Sequence, residues 1–102
     1  MSITKKYLKT KPVCKVTFKI EPEKGKYYKT ANLLGDFNNW DINATPMKKL
    51  KSGGFSVSVN LEKNHKYKFR YLFDGVTWDN DSEADGSVPT PFGDSEDSVI
   101  EC

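Results

Sequence analysis

Phe55-Ser56-Val57-Ser58-Val59-Asn60-Leu61 alternates apolar and polar side chains without a break, and its reading decides the fold. Successive side chains of an extended strand point to opposite faces, so strict alternation marks a strand with one face in a core and the other in water. Ser52-Gly53-Gly54 just before it is a hairpin signal. It predicts a short partner strand from Pro46 to Leu50. Beyond a polar turn from Glu62 to Lys66, Tyr67, Phe69, Tyr71 and Phe73 alternate with Lys68, Arg70 and Leu72. This second strand points its aromatics at the core and stops at Asp74-Gly75, a pair suited to positive φ.

Working outward, Cys14, Val16, Phe18 and Ile20 alternate with Lys15, Thr17 and Lys19 in a strand from Val13 to Ile20. Pro22 and Gly25 make the stretch from Glu21 to Lys26 a turn. Tyr27 to Leu34 reads as the next strand, ending at Gly35. From Phe37 to Thr45, the side chains of Asn38, Asn39, Asp41 and Asn43 favour Asx turns and a loop. The acidic segment from Asp79 to Asp97, with Pro89 and Pro91, reads as an extended surface loop before a last strand from Ser98 to Cys102. No segment carries a helical period. Short strands at close, regular spacing imply an all-β chain, an antiparallel β-sandwich of immunoglobulin-like type in a single domain. Residues 1–11 are expected as a basic N-terminal extension and residues 12–102 as the sandwich.

The 102 residues suffice for one core and not two. No apolar run approaches the roughly 18 residues that cross a bilayer, so no membrane partner is expected. The basic N-terminus leads into no apolar segment, which argues against a secretory signal. Cytoplasmic location is expected, and Cys14 and Cys102 are accordingly expected as free thiols. Net charge is only +2, from 16 basic and 14 acidic residues. Lysines crowd the first two thirds and acids the tail, so the two halves should attract one another when folded. The acidic tail argues against a nucleic-acid partner.

Enzymatic signals are lacking. His65 is the sole histidine and sits in a lysine-rich turn. No Cys/His spacing suits zinc. An EF-hand beginning at Asp79 fails at Ala84 and Thr90, where it needs glycine and glutamate. The tail carboxylates evoke a paired-acid glycosidase, but a domain this small offers no deep cleft. No metal, cofactor or catalytic residue is expected.

Two tryptophans stand apart from these strands. Trp40 follows Gly35-Asp36-Phe37-Asn38-Asn39, and Trp78 follows Asp74-Gly75-Val76-Thr77. Each sits just past a tight turn, where strand aromatics normally stop. Indoles projecting from loops suit a flat, partly apolar ligand such as a sugar ring.

The ordered series Leu33 to Trp40, Pro46-Met47, Gly54-Phe55, then Tyr67 to Gly75 with Trp78 and Asp81, resembles carbohydrate-binding module family 48. That family includes the glycogen-binding domain of the AMP-activated protein kinase β subunit and the early-set domains of isoamylases and glycogen branching enzymes. The resemblance covers the chain from about Val13 to Cys102. It implies an early-set immunoglobulin-like sandwich that binds α-1,4-glucan such as glycogen, starch or maltooligosaccharide without catalysis. The resemblance implies that Trp40 and Trp78 stack on glucose rings and that Arg70 hydrogen-bonds their hydroxyls. Phe92 falls where the family has a bulky apolar residue, and Ser95 and Asp97 where it often has threonine and asparagine. The spacing from Asp74-Gly75 to Trp78 is one residue longer than in the kinase-type modules. The alternative is a protein-interaction module docking onto a glucan-processing enzyme, as relatives in branching and debranching enzymes pack on a catalytic domain.

Overall fold

Alternation along the strands is what separates inside from outside in this structure, a computed structural model that describes residues 1–9, 12–90 and 95–102. One sheet contains β1 (Ser2–Tyr7), β2 (Val13–Ile20), β5 (Phe55–Glu62) and β4 (Lys48–Lys49), in the order β1-β2-β5-β4. The other contains β3 (Ala31–Gly35), β6 (Lys66–Phe73), β9 (Glu96–Glu101) and β8 (Gly86–Pro89), in the order β3-β6-β9-β8. β7 (Thr77–Asp79) pairs with β6 beside them. All pairings are antiparallel. The orders reproduce the ABED and CFG sheets of an immunoglobulin-like sandwich, with β7 and β8 inserted between the last two strands.

Cys14, Val16, Phe18 and Ile20 from β2 meet Leu33 from β3, Phe55 and Leu61 from β5, and Phe69, Tyr71 and Phe73 from β6. The aromatic rings meet edge to face, with Phe18 and Phe69 centroids 5.1 Å apart and Phe69 and Tyr71 5.8 Å apart. The radius of gyration, 13.3 Å, matches the roughly 13 Å of one compact domain of this length. Among the described residues, no helix is long and apolar enough to cross a membrane.

Several sequence expectations are corrected. The segment read as a basic extension carries β1, which runs along β2 from Ser2↔Lys19 to Tyr7↔Cys14 as an edge strand. Only Ile3 gives it an apolar anchor, half-buried against the core. The third strand starts at Ala31 instead of Tyr27, because the N–H groups of Lys29 and Thr30 turn to Asp74 Oδ1, at 2.7 and 2.9 Å. The turn after β2 is a single helical turn, Pro22–Gly25. Cys14 and Cys102 are joined by a disulfide, so neither is free. Two registers explain it: Tyr67↔Ile100 sets the end of β9 beside the β5–β6 turn, and Cys14↔Leu61 sets the start of β2 beside the strand entering that turn, giving a Cα–Cα distance of 6.5 Å.

The acidic segment is not one extended loop: it contains the end of β7, all of β8 and the start of β9. Asp81 turns inward, accepting from Tyr71 Oη at 2.7 Å and from Glu83 N at 2.9 Å, while its own N–H donates to Ser98 Oγ. Burial, reinforced by the Asp81 charge, pushes the Tyr71 phenol well above its ordinary range. Early lysines do reach the late acids: Lys5 pairs with Asp85 at 2.6 Å, and Lys24 pairs with Asp79.

Candidate functional site

The outward face of the second sheet presents Lys68 and Arg70, which alternate with the buried Phe69, Tyr71 and Phe73 of β6, while Leu72 on the same face is covered. Along one side of β6 the partner changes. β9 pairs with residues Lys66 to Phe69 and β7 with Tyr71 to Phe73, so the ladder breaks at Arg70. Asn80 bridges the break. Its Oδ1 accepts from Ser98 N and Oγ at 3.1 and 2.9 Å, and its Nδ2 donates to Glu96 O at 2.8 Å. Two outward side chains converge there. Trp78 stands opposite Leu72, and Asp97 precedes Ser98, the partner of Phe69.

Arg70 Nε donates to Asp97 Oδ1 at 2.6 Å, and the two side chains are 17 and 14 % exposed. The guanidinium is therefore a held group, and among the described residues its terminal amino groups have no hydrogen-bond partner. Trp78 is 49 % exposed. Its β7 position is set by the Asp74-Gly75 turn, with φ 51° and 72°, where glycine relieves the second left-handed residue.

Trp40 arrives from the other side. Gly35 ends β3 where a Cβ would lie 2.6 Å from the Lys68 carbonyl oxygen, so only glycine lets the two backbones approach. A short 3₁₀ turn, Asp36–Asn38, follows. The Asn38 side chain closes it, accepting from Gly35 N and donating to Leu33 O and Thr45 Oγ1. Asn38 is thus the turn former its composition suggested. Asn39 and Trp40 are both left-handed, φ 57° and 56°, and Trp40 N closes onto Gly35 O at 3.0 Å. A left-handed tryptophan is uncommon and strained by roughly 1 kcal/mol or more. Asp36 holds the ring there. Its Oδ1 accepts the indole Nε1 at 3.0 Å and its Oδ2 accepts Lys68 N at 2.9 Å.

Trp40, Arg70, Trp78, Ser95 and Asp97 line one open cavity of about 470 Å³. Phe92 lies outside the described residues. Asp36, Lys68 and Thr90 also line the cavity and were not foreseen. Lys68 was available from the sequence, since it shares the parity of Arg70 on one strand. Thr90 required the β8–β9 hairpin, where its N–H donates to Ser95 O at 3.0 Å. Asp36 sits inside the motif, but its role as an acceptor appears only in the folded turn. Among the described residues, no group of three or more His, Cys, Asp or Glu is placed to hold a metal.

The sequence model of a family described as Carbohydrate-binding module 48 (Isoamylase N-terminal domain) matches residues 29–84, more than half of the chain. The matched stretch contains Trp40, Arg70 and Trp78. No curated protein matches the chain.

Proposed function

Because the chain belongs to the carbohydrate-binding module 48 family, we propose that it binds α-1,4-glucan without catalysis, on a platform of Trp40, Trp78 and Arg70. The observation that carries the reading is that these three residues line one cavity. A pyranose presents C–H groups on its face and hydroxyls around its edge. The indole faces suit the first, and the guanidinium amino groups with the second Asp97 oxygen suit the second. Ser95, whose hydroxyl lies 3.2 Å from Thr90 Oγ1, adds a neutral donor and acceptor at the rim. Each stacked ring contributes about 1 kcal/mol, so binding falls in the roughly micromolar to millimolar range.

The ligands that fit are glycogen, starch and maltooligosaccharides, and Phe92 is assigned to the same surface on the resemblance alone. The disulfide bears on location: it persists in an oxidising compartment, whereas a reducing cytoplasm holds the same chain with both thiols free.

Titration with maltoheptaose, followed through both indole N–H resonances, tests the reading. Both resonances should move, and Trp40→Ala and Trp78→Ala should each weaken binding several-fold with the fold intact. Unmoved resonances at millimolar sugar refute it. The alternative, a module that docks onto a glucan-processing enzyme, then takes its place.

A further inference from the structure

We infer that the Arg70–Asp97 pair makes this site select uncharged glucan and turn away glucan that carries phosphate. The inference rests on the glucan reading above and deepens it. Among the described residues, the ionisable ones lining the cavity balance, Asp36 and Asp97 against Lys68 and Arg70. The two carboxylates are fixed in place. Asp97 is bonded to Arg70 Nε with both side chains mostly withdrawn from water. Asp36 is bonded at one oxygen to the Trp40 indole and at the other to the Lys68 backbone N–H.

The cations are less available than their number suggests. The guanidinium charge of Arg70 already faces Asp97. The Lys68 side chain is exposed, and an exposed ammonium attracts weakly through water. A sugar hydroxyl, which both donates and accepts, is satisfied by the Arg70 amino groups and the second Asp97 oxygen. A phosphate monoester only accepts, and it brings a charge of about −1.5 to −2. To reach Arg70 it must either displace Asp97 or lie beside a carboxylate that cannot leave. Water in this open cavity weakens that repulsion without abolishing it.

The test compares wild type and Asp97→Asn against maltoheptaose and maltoheptaose phosphorylated on its 6-hydroxyls, at low salt. Wild type should bind the phosphorylated chain about fivefold more weakly than the neutral one, the effect of one like charge about 4 Å away through water. Asp97→Asn should narrow that gap several-fold. Equal affinities in wild type, or a gap unchanged by the substitution, overturn the inference.

A second arm does not depend on sugar binding. Inorganic phosphate should leave the Arg70 Nε–H resonance of wild type in place and move it in Asp97→Asn. Movement in wild type, or none in the variant, overturns the inference. Failure of wild type to bind neutral maltoheptaose sinks the glucan reading instead, and the phosphate arm still decides the charge selection. Asp97→Ser serves in both arms if Asp97→Asn fails to fold.

Discussion

The Cys14–Cys102 bridge should supply a large share of this domain's stability. It joins the start of β2 in one sheet to the residue after β9 in the other, with a sequence separation of 88. Cross-linking removes loop-closure entropy from the unfolded chain as about 2.1 + 1.5R ln n cal/mol/K, which for this separation is roughly 15 cal/mol/K, or about 4.6 kcal/mol at 25 °C. Residual structure in the unfolded chain reduces that figure, so a loss of about 3 kcal/mol is expected. With a urea slope of about 1.5 kcal/mol/M, the midpoint should fall by roughly 2 M. The comparison is oxidised wild type against Cys14→Ala/Cys102→Ala, because serine would put a hydroxyl into the fully buried Cys14 site. Wild type in reductant should follow the variant. Coincident urea curves for oxidised and reduced protein would refute the reasoning. So would full reactivity of both thiols in unfolded, unreduced protein.

Other perturbations separate the site from the core. Asp36→Ala removes the acceptor of the Trp40 indole and should weaken maltoheptaose binding about fivefold, or roughly 1 kcal/mol. The Trp40 N–H resonance of the free protein should shift as well, and an unmoved resonance with unchanged affinity counts against the clamp. Tyr71→Phe strips a donor from the buried Asp81 and should cost about 2 kcal/mol, lowering Tm by roughly 10 °C, measured by calorimetry. Sugar binding should be nearly unchanged, since neither residue lines the cavity. At Asp85, burial raises the pKa, but the Lys5 ammonium and the Glu101 N–H outweigh it and hold the carboxyl below its ordinary range. Glu21 is likewise lowered, chiefly by its hydrogen bond to the N-terminal ammonium. A depressed carboxyl stabilises the fold above its unfolded pKa, and that stability is lost as pH falls from about 4 through the folded value. Asp85→Asn should flatten the acid limb of a Tm-versus-pH curve, and an unchanged limb argues against the pair.

What was legible in the sequence followed burial on one face. Val13 to Ile20, Phe55 to Leu61 and Tyr67 to Phe73 each hide alternate side chains, so their period survives in the composition. β1 and β8 do not. Ser2–Tyr7 has one core-facing apolar anchor in Ile3, and Gly86–Pro89 has only Val88, half-buried. Edge strands need less burial because a neighbour's ladder holds them, and lysine or proline there discourages further pairing. The disulfide was illegible for a related reason: it depends on the registers of β6 with β9 and of β2 with β5, which neither cysteine's surroundings encode. Trp40 and Trp78 stand out in the sequence through their turns, and Arg70 and Asp97 only through the family resemblance, whereas Asp36, which bonds the Trp40 indole, is an ordinary surface acid until folded.

The geometry of the site follows from the point at which the sandwich stops being regular. An unbroken ladder along β6 would satisfy Arg70's backbone and leave its side chain on a flat sheet face. Because β9 gives way to β7 there, two strand ends meet at one residue, and Asn80 must close the seam with its own amide. The seam brings Trp78, two residues before Asn80, and Asp97, one before Ser98, into one cavity with Arg70. On the far side Gly35 admits the Asp36 turn against β6, and that turn forces Trp40 into a left-handed backbone. Local irregularity is tolerated at both places because a side chain replaces each missing or strained contact: Asn80 at the break, Asn38 and Asp36 at the turn. The core behind them, built from Phe18, Phe69 and Tyr71, does not depend on either. Changes at the cavity should therefore alter recognition with little effect on folding, which is the condition under which a fixed scaffold can be retuned from one sugar to another.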